Sequence, residues 1–284
     1  MSLRFYFLLA FLKLVVGWGF IGHNTTAYLA YNLLNNGTKN YLLDVYNITN
    51  RDSFVGLATW ADSIKSLPKY SWSYELHFVD VMADPPKNCY KNSSYLWIET
   101  RDPCIINYNL DCVDDRCVIG AIKNYTKRYL EIENDFDSLR FLIHFWGDIF
   151  QPFHVSYRKD LGGNLIKVKY NGGNTNLHSV WDSELIDTFV YELGGINEYY
   201  NYMEIYSKDI VPKISNDPMI IAQLGLSTIC NNYLYCDLGN HIESGSIISK
   251  DYYERNIEII KNRLSMSAFF MASILNERSN SHFI

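Results

Sequence analysis

Imidazoles and carboxylates recur at ordered spacings along this chain of 284 residues, and together they suit zinc. In F-L-I-H-F-W-G-D-I-F-Q-P-F-H, residues 141–154, His144 and Asp148 stand four apart, so a helix projects both from one face. Pro152 ends that helix and lets His154 return to the same region. In N-L-H-S-V-W-D, residues 176–182, His178 and Asp182 repeat the spacing at a helix start. One such pair is ordinarily a salt bridge or a cap; two, with His154 besides, are more than that reading explains. W-A-D-S-I-K adds Asp62, E-L-H-F-V-D adds His77, and W-G-F-I-G-H adds Trp18 and His23. These nine candidate ligands are too many for one ion and suit a trinuclear cluster, with a position left open for water if the site is catalytic.

Trp18 qualifies only if it is an N-terminus. Residues 1–17 read as a cleavable signal peptide, with Arg4 as the basic region, Phe5 to Val16 as the apolar stretch and Gly17 at the cleavage point. That apolar stretch is short for a membrane span and is interrupted by Lys13. Cleavage would turn the Trp18 amine and carbonyl into ligands. The mature chain, 18–284, is then expected as one domain with no membrane segment.

Six cysteines in two clusters, Cys89, Cys104, Cys112 and Cys117, then Cys230 and Cys236, read as a disulfide framework of a secreted protein. No pair has the C-x-x-C spacing of a zinc-thiolate site. Cys112 and Cys117 can close a small loop, while Cys89 and Cys104 can each reach Cys230 or Cys236. Sequons at Asn24, Asn36, Asn47, Asn92 and Asn124 suit a glycoprotein, although Asn24 adjoins His23 too closely to carry a glycan. The formal charge is −6, and losing Arg4 and Lys13 with the leader makes it −8. No basic run of a duplex-DNA binder is present, so a phosphate-handling site here needs metal ions for its positive potential.

Periodicity predicts a mainly α fold, a single-domain helical bundle. Helices are expected at about 22–36, 38–47, 52–65, 115–133, 137–150, 179–193, 196–213, 216–234 and 250–277. The proline-containing stretch 82–114 reads as an irregular, disulfide-pinned excursion. L-I-K-V-K-Y, set between G-G-N and N-G-G, reads as a short β-hairpin over 162–176. His241 and His282 read as solvated residues outside the metal set.

These motifs resemble the zinc-dependent type I nucleases, the S-one/P-one group, over essentially the whole mature chain. All nine ligand positions hold the expected residue types. The resemblance implies three Zn²⁺ ions and the helical bundle shared by these nucleases and the zinc-dependent phospholipases C. Asp62, His77 and His144 would hold one ion and Asp148 would bridge to a second, chelated by Trp18 and His23. The third would take His154, His178 and Asp182. A hydroxide shared by the first two would attack phosphorus in line, since zinc lowers the pKa of water to roughly 7. Asp62 would orient that water or accept its proton, and Lys65 would face the developing charge. Phe78 and Asp80 match a base pocket, an aromatic platform beside a carboxylate; Asn164 or Asn176 either contacts substrate or serves a turn. The resemblance implies a secreted or lytic-compartment monomer that cuts single-stranded DNA and RNA to 5′-phosphates and also acts on 3′-nucleotides. Two alternatives are a zinc-dependent phospholipase C, which typically has Glu where this chain has Asp182, and a non-catalytic zinc-stabilised binding module, which would lack Asp62 or Lys65. The excursion around 84–114 carries an extra cysteine over a two-bridge fungal pattern, which leaves the pairing and the substrate preference beside it open.

Overall fold

The computed structural model describes residues 18–87, 89 and 101–281. The expected leader at 1–17, the sequon at Asn92 and His282 lie outside the described residues. Twelve α-helical segments account for just over half of the described residues, and the three sheets among them have two strands each. The fold is mainly α, as expected, and no described helix is long and apolar enough to cross a membrane.

Several of the helices begin where a side chain accepts from a free N–H of the first turn. α1 (Phe20–Leu33) starts two residues after Trp18 and packs along α12 (Lys250–Ser281) and α3 (Arg51–Val55). α2 (Asn36–Tyr46) is capped by Asn35, whose Oδ1 accepts from Thr38 N. A single helix over 52–65 was expected, but the chain breaks into α3 and α4 (Trp60–Ile64), with turns at 56–59. The break turns the Ala58 carbonyl aside to accept from His144 Nδ1 at 2.7 Å. After a 3₁₀ segment (Ser71–His77) the chain enters β1 (Val79–Val81), and the described residues of the excursion contribute the helical turn α5 (Tyr108–Asp111) and a 3₁₀ turn at Val113–Asp115.

α6 (Val118–Glu131) and α7 (Phe136–Asp148) form an antiparallel pair. From Phe141 to Asp148 every residue of α7 is buried, the pattern of a helix enclosed on all sides. Phe141 sits among the rings of Tyr125, Trp60, Trp72 and Phe145. β2 (Val155–Tyr157) then pairs in parallel with β1, Val79 opposite Val155 and Val81 opposite Tyr157. The expected hairpin is β3 (Lys167–Tyr170) and β4 (Gly173–Asn176), turning at Asn171–Gly172 with positive φ at both residues, as a tight two-residue hairpin requires. It runs straight into α8 (Leu177–Ser179), which continues through a π turn (Val180–Glu184) into α9 (Leu185–Glu192). α10 (Ile196–Ser207) stops six residues short of the expected 213, before Pro212, which disfavours helix in the residue preceding it. α11 (Pro218–Asn231) and the two-residue strands β5 (Cys236–Asp237) and β6 (Asn240–His241) complete the chain before α12.

Three disulfides pair all six cysteines. Cys112–Cys117 closes the small loop; the alternatives left open resolve as Cys89–Cys236 and Cys104–Cys230. The two long bridges tie the excursion to the last turn of α11, through Cys230, and to β5, through Cys236. Of the sequons described, Asn24 is buried, so it is closed to a glycan, whereas Asn36, Asn47 and Asn124 are exposed. Phe141→Ala removes the centre of the aromatic cluster; the expected loss is about 3–5 kcal/mol, read as a lower denaturant midpoint with an unchanged slope.

Candidate metal centre and base pocket

The site collects at the C-terminal end of α7. Asp148, fully buried, turns Oδ2 to His144 Nε2 at 3.1 Å and His77 Nδ1 at 3.0 Å. Its Oδ1 lies 3.3 Å from His23 Nε2, so the carboxylate stands between two groups of imidazoles. Asp62 Oδ1 approaches His144 Nε2 at 3.5 Å and His77 Nδ1 at 3.6 Å. Lys65, only 5% exposed, donates from Nζ to that same oxygen at 2.7 Å, so it is no solvated surface cation. On the far side, His178 Nε2 lies 3.1 Å and His154 Nε2 3.9 Å from Asp182. Three groups could therefore hold a metal ion: His23 with His144 and Asp148, Asp62 with His77 and His144, and His154 with His178 and Asp182.

Each group is assembled by a local device. Three imidazoles donate from Nδ1 to backbone carbonyls: His144 to Ala58, His154 to His77 at 2.8 Å, and His178 to Gly162 at 2.6 Å. Such bonds fix the tautomer and leave the Nε2 lone pair facing inward. The β1–β2 pairing lies just beyond His77 and His154 and sets the two segments side by side. The π turn carries Asp182 beside His178, while Asn176 caps the helix by accepting from Ser179 N. Asn176 thus has a structural role, whereas Asn164, which donates from Nδ2 to the Leu161 carbonyl at 2.7 Å, also lines the cleft beside the centre. His23 packs directly on Gly147, where a Cβ would stand 2.6 Å from Nδ1. Trp18 is buried just before α1, and Gly19 N donates to the Asp182 carbonyl at 2.7 Å, which brings Trp18 beside the third group.

The donor set fits cations. Asp62 Oδ2, Asp148 Oδ1, both nitrogens of His23, and Nε2 of His77, His154 and His178 are buried without a hydrogen-bond partner among the described residues. One buried polar atom left unpaired costs about 1–3 kcal/mol, so seven at one place indicate a ligand. The charge distribution agrees. Burial lowers the His144 imidazole, but the Asp148 and Asp62 carboxylates outweigh it and raise the pKa to about 10. Burial drives His77 down to about 4, and His23 and His154 are lowered by burial as well. Burial opposes ionisation of Asp62 and Asp148, yet His144 holds both carboxyls below the ordinary range. The pocket favours positive charge but cannot place it on all its histidines.

Beside this centre opens a cleft of about 250 Å³, lined by Tyr74, Phe78, Asp80, Phe153 and Asn164, with His178 in its wall. Phe78 and Asp80 are half-buried and reachable, as a base platform and its carboxylate must be. Burial raises the Asp80 carboxyl, tempered by Arg158. Gln151 was missed by the sequence reading: fully buried, it donates from Nε2 to Asp182 Oδ1 at 2.5 Å and accepts from Phe153 N. The only signal was a polar residue in an otherwise apolar F-Q-P-F. His241 departs from expectation, for it is half-buried against the Tyr235 ring, with a buried Nε2. The β5–β6 hairpin folds it inward.

Residues 18–280 match the family model described as S1/P1 Nuclease. The chain is 28% identical to Nuclease S1 of Aspergillus oryzae over 94% of each sequence. It is 30% identical to Endonuclease 1 of Arabidopsis thaliana, covering 92% of this chain and 87% of the relative. It is 28% identical to Nuclease P1 of Penicillium citrinum, covering 92% and 97% respectively. Gly147→Ala pushes His23 out of its group; the expected result is a folded protein, by circular dichroism, with lower bound zinc by elemental analysis.

Proposed function

Because the chain belongs to the S1/P1 nuclease family, we propose that it is a secreted, zinc-dependent endonuclease that cuts single-stranded DNA and RNA to 5′-phosphates and removes phosphate from 3′-nucleotides. The observation that carries this reading is the set of buried, unpartnered nitrogen and oxygen atoms in three groups beside a reachable aromatic and carboxylate pair. Asp62, His77 and His144 would hold one zinc ion. Asp148 would stand between it and a second, held by His23 and by the Trp18 amine and carbonyl once residues 1–17 are removed. His154, His178 and Asp182 would hold a third. Zinc bound there supplies Lewis acidity and lowers the pKa of water to about 7.

The chain's own groups do the rest. Lys65 engages one oxygen of Asp62 and leaves Oδ2 to orient the attacking water and take its proton. The Lys65 ammonium faces the charge that develops on the phosphoryl oxygens. Phe78 stacks the base of the nucleotide whose 3′ oxygen departs, and Asp80 accepts hydrogen bonds from the base edge. Stacking on Phe78 requires a base already out of a duplex, which is the physical source of single-strand preference. Breaking the phosphorus–O3′ bond yields a 5′-phosphate from a strand and free phosphate from a 3′-nucleotide, so one site serves both reactions. Disulfides formed by all six cysteines suit an oxidising compartment, and the protein is taken to act as a monomer.

Chelation is expected to abolish hydrolysis of single-stranded DNA and added zinc to restore it; turnover of phosphatidylcholine in place of DNA would instead identify a phospholipase C. Asp62→Asn should lower kcat at least about a hundredfold, and Phe78→Ala should raise KM about tenfold through lost stacking. A protein with one residue added before Trp18 should bind less zinc and be largely inactive, since an amide nitrogen cannot replace the amine. Full activity with such an extension would refute the role given to Trp18.

A further inference from the structure

Arg158 directly follows β2 and is exposed. Among the described residues its guanidinium has a single hydrogen-bond contact, to Met82 Sδ at 3.6 Å. A guanidinium carries five N–H donors, so most are free. Arg158 lines the base pocket and also two further openings that meet it. One shares Phe78 and Asp80 with the base pocket and runs towards Leu110 and Asp114. The other runs along Val81–Asp84. The remaining cations of these openings are committed, Arg116 to Glu75 at 2.8 Å and Lys159 to Asp84 at 2.5 Å. Otherwise the rim is acidic, with Glu75, Asp80 and Asp114 facing a substrate that is a polyanion, while Asp111 is buried against Arg101.

A nucleotide stacked on Phe78, with its 3′ phosphate over the metal groups, sends its 5′ side outward through one of these two openings. Arg158 borders both. We propose that Arg158 is a specificity-determining residue that binds the phosphate on the 5′ side of the nucleotide held at Phe78. The inference rests on the nuclease reading above. It makes the site select strands, and short substrates with a 5′-terminal phosphate, over substrates that end in a 5′ hydroxyl.

The test compares cleavage of a dinucleotide bearing a 5′-terminal phosphate with cleavage of the same dinucleotide lacking it, using the zinc-loaded mature protein. The wild type is expected to favour the phosphorylated substrate about tenfold in kcat/KM, carried by KM, as one charge-assisted contact at a half-exposed site provides. Arg158→Ala should bring the ratio close to one, and Arg158→Lys should keep part of it, since the charge remains while the fork geometry is lost. A ratio retained in Arg158→Ala overturns the proposal, as does an equal loss on both substrates, which marks a structural role. Failure of the wild type to cleave either dinucleotide overturns the nuclease reading itself, and the subsite with it.

Discussion

Everything in this structure answers to the burial of Asp148 and Asp62 among four imidazoles. Two carboxylates in a dry interior are tolerable only where positive charge meets them, and Lys65 with one protonated histidine is a partial match. Their remaining oxygens, both nitrogens of His23 and the Nε2 atoms of His154 and His178 stay unpaired among the protein's own groups. Cations are the species that satisfy such a set. The scaffold must then resist collapse of these groups onto one another, which explains why so many outward nitrogens are tied to backbone carbonyls. A side chain held by Ala58, His77 or Gly162 cannot swing to neutralise the centre.

That requirement shapes the helices as well as the site. Breaking α3 from α4 gives up helical hydrogen bonding, and the freed Ala58 carbonyl orients His144. The π turn after α8 likewise departs from regular helix where Asp182 must face His178, a common place for such turns. Gly147 allows His23 to lie against α7. Local regularity yields at each point where a ligand must be aimed, and the surrounding aromatic core, with Phe141, Phe145 and Tyr125, holds the deviations in place.

The charge of the whole chain bears on its substrate. A net −6 repels a polyanion, so attraction has to be local. The cleft would concentrate it at the candidate metal groups and at Arg158, while the aromatic face of Phe78 would meet a base without regard to charge. The long disulfides fasten the excursion to the last turn of α11 and to β5, which keeps this acidic rim in register with the centre.

What was legible in the sequence was what helix geometry carries within a few residues. His144 with Asp148 and His178 with Asp182 face the same way because four residues make about one turn, whatever surrounds them. Pro152 stopping α7, Asn171–Gly172 turning the hairpin and the apolar run around 141–150 are local in the same sense. The strands β1 and β2 were invisible, since three residues are too few to show an alternation and their pairing joins positions 79 and 155. Gln151 and the inward turn of His241 were equally hidden, as each depends on a partner distant in the chain. The sequence by itself determined which residue types stand together on one helix face, because backbone periodicity is a local property. Only the tertiary structure decided which motifs meet, which nitrogen of each histidine faces inward, and which cysteines pair, because those follow from packing between segments far apart along the chain.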